Sequence, residues 1–269
     1  MKLFYREVGA GKPLVILHGL YGSSDNWMSI AKKLSCCFHL YLVDQRNHGQ
    51  SPHSNSHTYA DMVADLYEFV KALKIEHFYL MGHSMGGRTA MLFQSTYPEM
   101  VEKLIVVDVA PWSYHPEDEW FRFSYSEHVR IIDALLSLNL ESITSRMDAD
   151  NQLAQFLPSI TLRQFLLKNL KRDGSKFYWG LNLKVLEKNL ENLLLGISIN
   201  SISASRVPVL FLKGEESNYI PKEQIDLLKK YYPNCECVTI RHAGHWLHSE
   251  QPNAFVSEVE KFLSVRKDI

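Results

Sequence analysis

Short apolar runs alternate with amphipathic stretches through the first 108 residues. Leu14-Val15-Ile16-Leu17 reads as a buried strand, Trp27 to Leu34 as a helix, and His39 to Val43 as a strand again. Between Tyr59 and Leu73 the apolar positions Met62, Val63, Leu66, Phe69, Val70 and Leu73 recur along one helical face. The run His77 to Met81 then predicts a strand, Arg88 to Tyr97 a helix that Pro98 stops, and Lys103 to Val107 another buried strand. Strands that alternate with helices imply βαβ units and a mostly parallel sheet, an α/β fold.

The rhythm breaks at Trp112. From there to about Ser205 helical stripes dominate, such as Ile131, Leu135 and Leu138, or Leu162, Phe165, Leu166 and Leu170, and no strand is predicted. Aromatic residues gather at the start of this stretch: Trp112, Tyr114, Trp120 and Tyr125. Strand character resumes at Val207 to Leu212, followed by a helix from Lys222 to Tyr231, a strand from Cys235 to Ile240 and a helix from Asn253 to Val265. No internal repeat and no low-complexity linker interrupts the chain. The expected organisation is one α/β core made of residues 1–111 and 206–269, with residues 112–205 inserted as a helical lid.

Composition narrows the function classes. An apolar share of 46% and a charged share of 22% over 269 residues suit a globular protein with a sizeable core. Lys plus Arg (29) nearly balances Asp plus Glu (30), so the basic footprint of a nucleic-acid partner is missing. The charged start, Met1-Lys2-Leu3-Phe4-Tyr5-Arg6-Glu7, does not read as a signal peptide, and later apolar stretches are too short to span a bilayer. The expectation is a soluble cytoplasmic protein. The cysteines, Cys36-Cys37 and Cys235-x-Cys237, match neither a disulfide framework nor a usual zinc spacing, and read as reduced thiols.

Candidate chemistry centres on Gly82-His83-Ser84-Met85-Gly86, set between a predicted strand and a predicted helix. That context makes G-x-S-x-G a nucleophile elbow, a sharp turn that lifts the serine hydroxyl above the sheet. A serine hydroxyl needs a neighbouring base, and the base needs a third group to orient it. The base candidate is His245, in His242-Ala243-Gly244-His245-Trp246 between the last strand and last helix. His242 and His248 raise a metal site, but Gly244 argues against the helix that a three-residue histidine spacing wants. No metal and no cofactor is expected. For the acid, the loop after the post-insertion strand holds Lys213-Gly214-Glu215-Glu216-Ser217-Asn218, with Ser217 where an aspartate would be expected and Glu215 and Glu216 slightly early. Asp108, ending the strand after the elbow helix, is the other candidate. The oxyanion donors are the amides of Met85 and of Leu20, the latter in His18-Gly19-Leu20-Tyr21-Gly22, with His18 bracing that loop.

Together with Val43-Asp44-Gln45-Arg46-Asn47-His48-Gly49-Gln50-Ser51, these motifs resemble the α/β-hydrolase superfamily over essentially the whole chain except the middle of the insertion. Arg46-Asn47-His48-Gly49, Val107-Asp108-Val109-Ala110-Pro111 and Glu216-Ser217-Asn218 resemble the YbfF-type bacterial esterases and their mitochondrial relatives. That resemblance implies Asp108 as the acid, with a serine near Ser217 in place of the later aspartate. It further implies a hydrolase of carboxylic esters or thioesters, some acting on acyl-CoA, and a small-molecule acyl substrate. Serine at the elbow excludes the dehalogenases and epoxide hydrolases of this fold, which need a carboxylate nucleophile. Carbon–carbon hydrolases and cofactor-free perhydrolases share the Ser-His-acid set and stay open, as does a ligand-binding protein on the same scaffold. The aromatics Trp112 and Tyr114 are expected to wall an apolar acyl pocket.

Overall fold

A computed structural model describes residues 1–198 and 207–263. Ser205 and Arg206, where insertion and core were expected to meet, and Val265, the expected end of the last helix, lie outside the described residues. The first half builds β1 (Tyr5–Val8), β2 (Lys12–Leu17), α1 (Met28–Leu34), β3 (Phe38–Val43), α2 (Tyr59–Ala72), β4 (Phe78–His83), α3 (Met85–Thr96) and β5 (Val101–Val107). Then follow α4 (Glu119–Ser137), α5 (Arg146–Leu153), α6 (Ile160–Leu167), β6 (Leu170–Asp173), β7 (Lys176–Trp179) and α7 (Leu183–Leu195). The chain closes with β8 (Val209–Gly214), α8 (Ile225–Tyr231), β9 (Cys235–Ile240), α9 (Leu247–Glu250) and α10 (Pro252–Leu263).

Seven strands form one sheet in the order β1-β3-β2-β4-β5-β8-β9. All neighbours are parallel except β1, which pairs antiparallel with β3. The strand period of two sorts side chains onto the two faces. Val15, Leu17, Leu80, Leu104, Val106 and Phe211 pack under α2, α3 and α8, beside Leu66, Phe93 and Leu228. Leu14, Ile16, Met81, Ile105, Val107 and Leu212 face the other way, against Ile30 and Leu34 of α1 and Phe255 and Val259 of α10. Both faces are buried, which is why these strands read as continuous apolar runs rather than as alternations.

A third apolar cluster belongs to the elements between β5 and β8. Phe121, Ile132 and Leu135 of α4 meet Leu153, Leu166, Leu186 and Leu190, with Tyr21 from the core at its edge. The expectation of no strand in this stretch is overturned: β6 and β7 form a hairpin, Leu170 pairing with Trp179 and Asp173 with Lys176. Its two-residue turn rests on Gly174 at φ 57°, a left-handed conformation cheap only for glycine. Four-residue strands carrying Lys171, Arg172, Asp173 and Lys176 lack the apolar run that marks a buried strand. β1 also escaped the sequence pattern, because an edge strand of mixed polarity leaves little signal.

Candidate active site

Every candidate side chain hangs from the carboxyl end of a sheet strand, where an open parallel sheet places its ligands. Ser84 follows β4 directly and precedes α3, which starts at Met85, earlier than the sequence pattern suggested. Its backbone is held at φ 52° and ψ −118°, a strained conformation for a non-glycine residue. Close packing fixes this turn. A Cβ on Gly86 would lie 2.5 Å from the carbonyl oxygens of both Leu17 and His18, and one on Gly82 would lie 2.2 Å from the Gly86 carbonyl oxygen. Glycine is therefore required at both positions.

Asp108 directly follows β5, fully buried and also at a left-handed φ of 52°. Its Oδ1 accepts the Gly214 amide at 3.0 Å. Its Oδ2 accepts the Ser217 hydroxyl and stands 2.7 Å from His245 Nδ1. A carboxylate has no proton to give, so Nδ1–H is the donor and Nε2 keeps the lone pair a base needs. Glu215 and Glu216 are exposed, and Glu215 accepts the His242 amide instead. His245 is further fixed by Tyr219, whose ring stacks on it at 3.9 Å and 15°, and by His83, whose Nε2 donates to the His245 carbonyl at 2.9 Å. Neither was legible in the sequence: Tyr219 reaches His245 only through the loop after β8, and His83 sits inside the elbow motif without a signal of its own.

The loop carrying Leu20 is braced from behind. A Cβ on Gly19 would approach the Ser84 Cβ to 3.2 Å, so this loop passes directly beside the elbow. His18 donates from Nδ1 to the Gly19 carbonyl at 2.8 Å and accepts the Gln45 amide on Nε2 at 3.0 Å. Burial pushes the His18 imidazole down to about 4, which keeps one nitrogen an acceptor near neutral pH. His48 does the same for the next residue, accepting the Tyr21 amide at 3.3 Å while donating to the Arg46 carbonyl at 2.9 Å. Burial lowers it to about 3. Asp44 accepts the Ser24 and Gln50 amides at 2.6 and 2.8 Å, tying the Asp44–Ser51 segment to the same loop. Met85 is the first residue of α3, so its amide has no intrahelical acceptor.

Ser84 and His245 both line a cavity of about 280 Å³ roofed by the inserted helices, together with Leu20, Met85, Tyr114 and Trp120. Tyr114 thus stands where a pocket wall was expected. Trp112 does not: it packs against the core cluster beneath. His242 is 83% exposed, whereas His248 is buried and stacked on Trp27 at 4.3 Å, so the flanking histidines do not converge on His245. The four cysteines form no disulfide, and none of them lines the cavity. Among the described residues no helix is long and apolar enough to cross a membrane.

The alpha/beta hydrolase fold family matches residues 12–252. A marine microorganism esterase of known structure is 44% identical, with a TM-score of 0.91 over 97% of this chain and 99% of its own. The sn-1-specific diacylglycerol lipase ABHD11 of Xenopus laevis is 35% identical over 94% of this chain and 80% of its own length. Esterase YbfF of Escherichia coli K12 is 31% identical, covering 94% of this chain and 93% of its own.

Proposed function

For a chain that belongs to the α/β-hydrolase family and is an enzyme of the serine hydrolase type, we propose a two-step acyl transfer in which Ser84 is the nucleophile, His245 the base and Asp108 the acid. His245 Nε2 takes the Ser84 proton as Oγ attacks the carbonyl of a carboxylic ester or thioester. The Leu20 and Met85 amides hold the oxyanion, in a site where each such donor is worth about 10²–10³-fold in turnover. Asp108 fixes the imidazole tautomer and stabilises the imidazolium. His245 then protonates the leaving alcohol or thiol, and afterwards activates the water that frees Ser84. Ser217 assists by donating to Asp108. Residues 112–205 act as the lid over an acyl pocket, and the substrate is a small acyl ester, with acyl-CoA thioesters as the extension of the same chemistry.

The observation that carries this reading is the 2.7 Å pairing of a fully buried Asp108 with the Nδ1 of a histidine that shares a cavity with Ser84. Its test is Ser84→Ala, which should lower turnover of p-nitrophenyl butyrate by about 10⁶-fold with an unchanged circular dichroism spectrum. Retained turnover would defeat the mechanism. Parallel assays on acyl esters and acyl-CoA of graded length decide between ester and thioester.

A further inference from the structure

The inserted helix α4 turns an unusual stripe toward the cavity. Trp120, Ser124 and His128 recur every four residues and all line it, beside Glu127 and Ile131. An amphipathic helix would fill such a stripe with apolar residues if packing were its only task. Here two polar side chains stand at its centre. Ser124 is buried and faces the phenol of Tyr219, the ring stacked on His245.

His128 is held in one tautomer. The Tyr21 hydroxyl lies 3.2 Å from His128 Nδ1 and 3.5 Å from the His128 carbonyl oxygen. Burial keeps the Tyr21 phenol protonated. The carbonyl oxygen can only accept, so the phenol donates to it and receives Nδ1–H in turn, which leaves the lone pair of the ring on Nε2. Nε2 makes no protein hydrogen bond among the described residues. Burial lowers the imidazole to about 4, so near neutral pH the ring is uncharged and Nε2 offers one acceptor. Glu127, on the same face, is engaged by Arg130 at 2.6 Å.

The two sides of the cavity differ. Met85, Val109, Leu193 and Leu20 belong to one apolar cluster on the oxyanion side, suited to an acyl chain. Ser124 and Tyr219 stand on the His245 side, where a leaving group must lie to receive its proton. We propose that His128 Nε2, with the hydroxyls of Ser124 and Tyr219, forms a hydrogen-bonding subsite for the leaving alcohol. The subsite selects esters whose alcohol carries a hydroxyl a few bonds beyond the scissile bond over plain alkyl esters. This rests on the acyl-transfer reading above.

The test compares two esters of matched size, 2-hydroxyethyl butyrate and n-propyl butyrate, by kcat/KM in a pH-stat. The native enzyme should favour the hydroxyethyl ester. His128→Phe should lower that preference about tenfold, the worth of one hydrogen bond, whatever it does to the rate common to both. His128→Gln, which keeps a hydrogen-bond acceptor, should recover part of it, and Ser124→Ala should lower it less. Equal kcat/KM for both esters in the native enzyme overturns the subsite alone and needs no variant to fold. A preference that survives His128→Phe overturns the role of His128. Absence of turnover on both esters would strike the acyl-transfer reading itself, and the subsite with it.

Discussion

The sheet and the inserted helices enclose one cavity, and they hold their shares of it by different physics. On the sheet side, the non-glycine residues at left-handed φ beyond strand ends include Tyr21 at 61°, Ser84 at 52° and Asp108 at 52°. Each costs on the order of 1–3 kcal/mol and persists only where its surroundings over-determine it. Here the Tyr21 amide donates to His48, the Ser84 amide to the Val107 carbonyl and the Gly214 amide to Asp108. The helices that roof the cavity rest on apolar packing, and they leave Phe123, Met147 and Ile160 more than 60% exposed. A few polar ties connect the two parts. Asn169 donates to the Tyr21 carbonyl at 2.7 Å, Arg88 to the Leu193 and Leu194 carbonyls at 3.0 and 2.9 Å, and Tyr114 to the Tyr219 carbonyl at 2.6 Å. Strain is concentrated where atoms must be fixed to react, and packing where a surface only has to fit.

If that division holds, the largest loss should come from the sheet side. Asp108→Asn keeps the volume but reverses the hydrogen-bond role at His245, presenting an amide where a carboxylate accepted Nδ1–H. We expect kcat on p-nitrophenyl butyrate to fall about 10⁴-fold, as a wrong tautomer does. Glu215→Gln and Glu216→Gln, on exposed side chains, should stay near the native rate. A large loss from either glutamate would move the acid and break the comparison at its strongest point.

The same division explains what could be read from the sequence. Ser84, His245 and the sheet around them were legible because glycine at Gly82 and Gly86 and apolar runs at strand ends are local demands. Asp108 was one of two candidates on residue pattern alone, since its partners, Gly214 at the end of β8 and Ser217 and His245 in later loops, come more than 100 residues on. The hairpin at Gly174 and the cavity stripe of α4 were not legible. The first is too short and polar to show a run, and the second differs from a core face only in what it meets across space. Trp112 shows the same limit: an aromatic at the start of the insertion can face the cavity or the core, and only packing decides.

A smaller effect is expected from the roof. Leu190, 1% exposed, packs in the cluster of the inserted helices and does not line the cavity. Leu190→Ala should cost about 2–5 kcal/mol of stability, read from urea unfolding. It should raise KM for p-nitrophenyl octanoate more than for p-nitrophenyl acetate, because the long chain touches more of the roof. An equal fall of kcat on both esters would mean that the roof sets the reacting geometry as well.

Acid should weigh on the sheet side more than on the roof, which contributes His128 to the same window. His18 is lowered to about 4 and His48 to about 3 by burial, against a value of 6.5 when unfolded. Between pH 6.5 and 4 the unfolded chain binds protons that the folded chain refuses, so stability falls as pH falls through that window. His18 alone accounts for about 3 kcal/mol once pH reaches 4. The urea midpoint should therefore drop steeply from pH 6.5 to 4 and be nearly flat from 7 to 8. His18→Gln should lower stability at pH 7 and shallow the acid slope, and an unchanged slope would mean that His18 does not contribute to it.

The smallest effect is expected at Ser217, in the loop where sheet and roof come together. Its hydroxyl donates to the same Asp108 oxygen that faces His245, and two residues on, the Tyr219 carbonyl receives the Tyr114 hydroxyl. Ser217→Ala removes one donor from a buried carboxylate that still keeps the Gly214 amide and His245. We expect kcat to fall about tenfold with KM little changed, the scale of one charge-assisted hydrogen bond partly replaced. Ser217→Thr, which keeps the hydroxyl, should recover most of that loss. Tyr114→Phe, removing the tie on the roof side, should act on KM instead. If Ser217→Ala also moves KM, its hydroxyl acts by shaping the loop around Tyr219 rather than through Asp108, and the boundary between reacting frame and fitted surface runs one residue pair closer to His245.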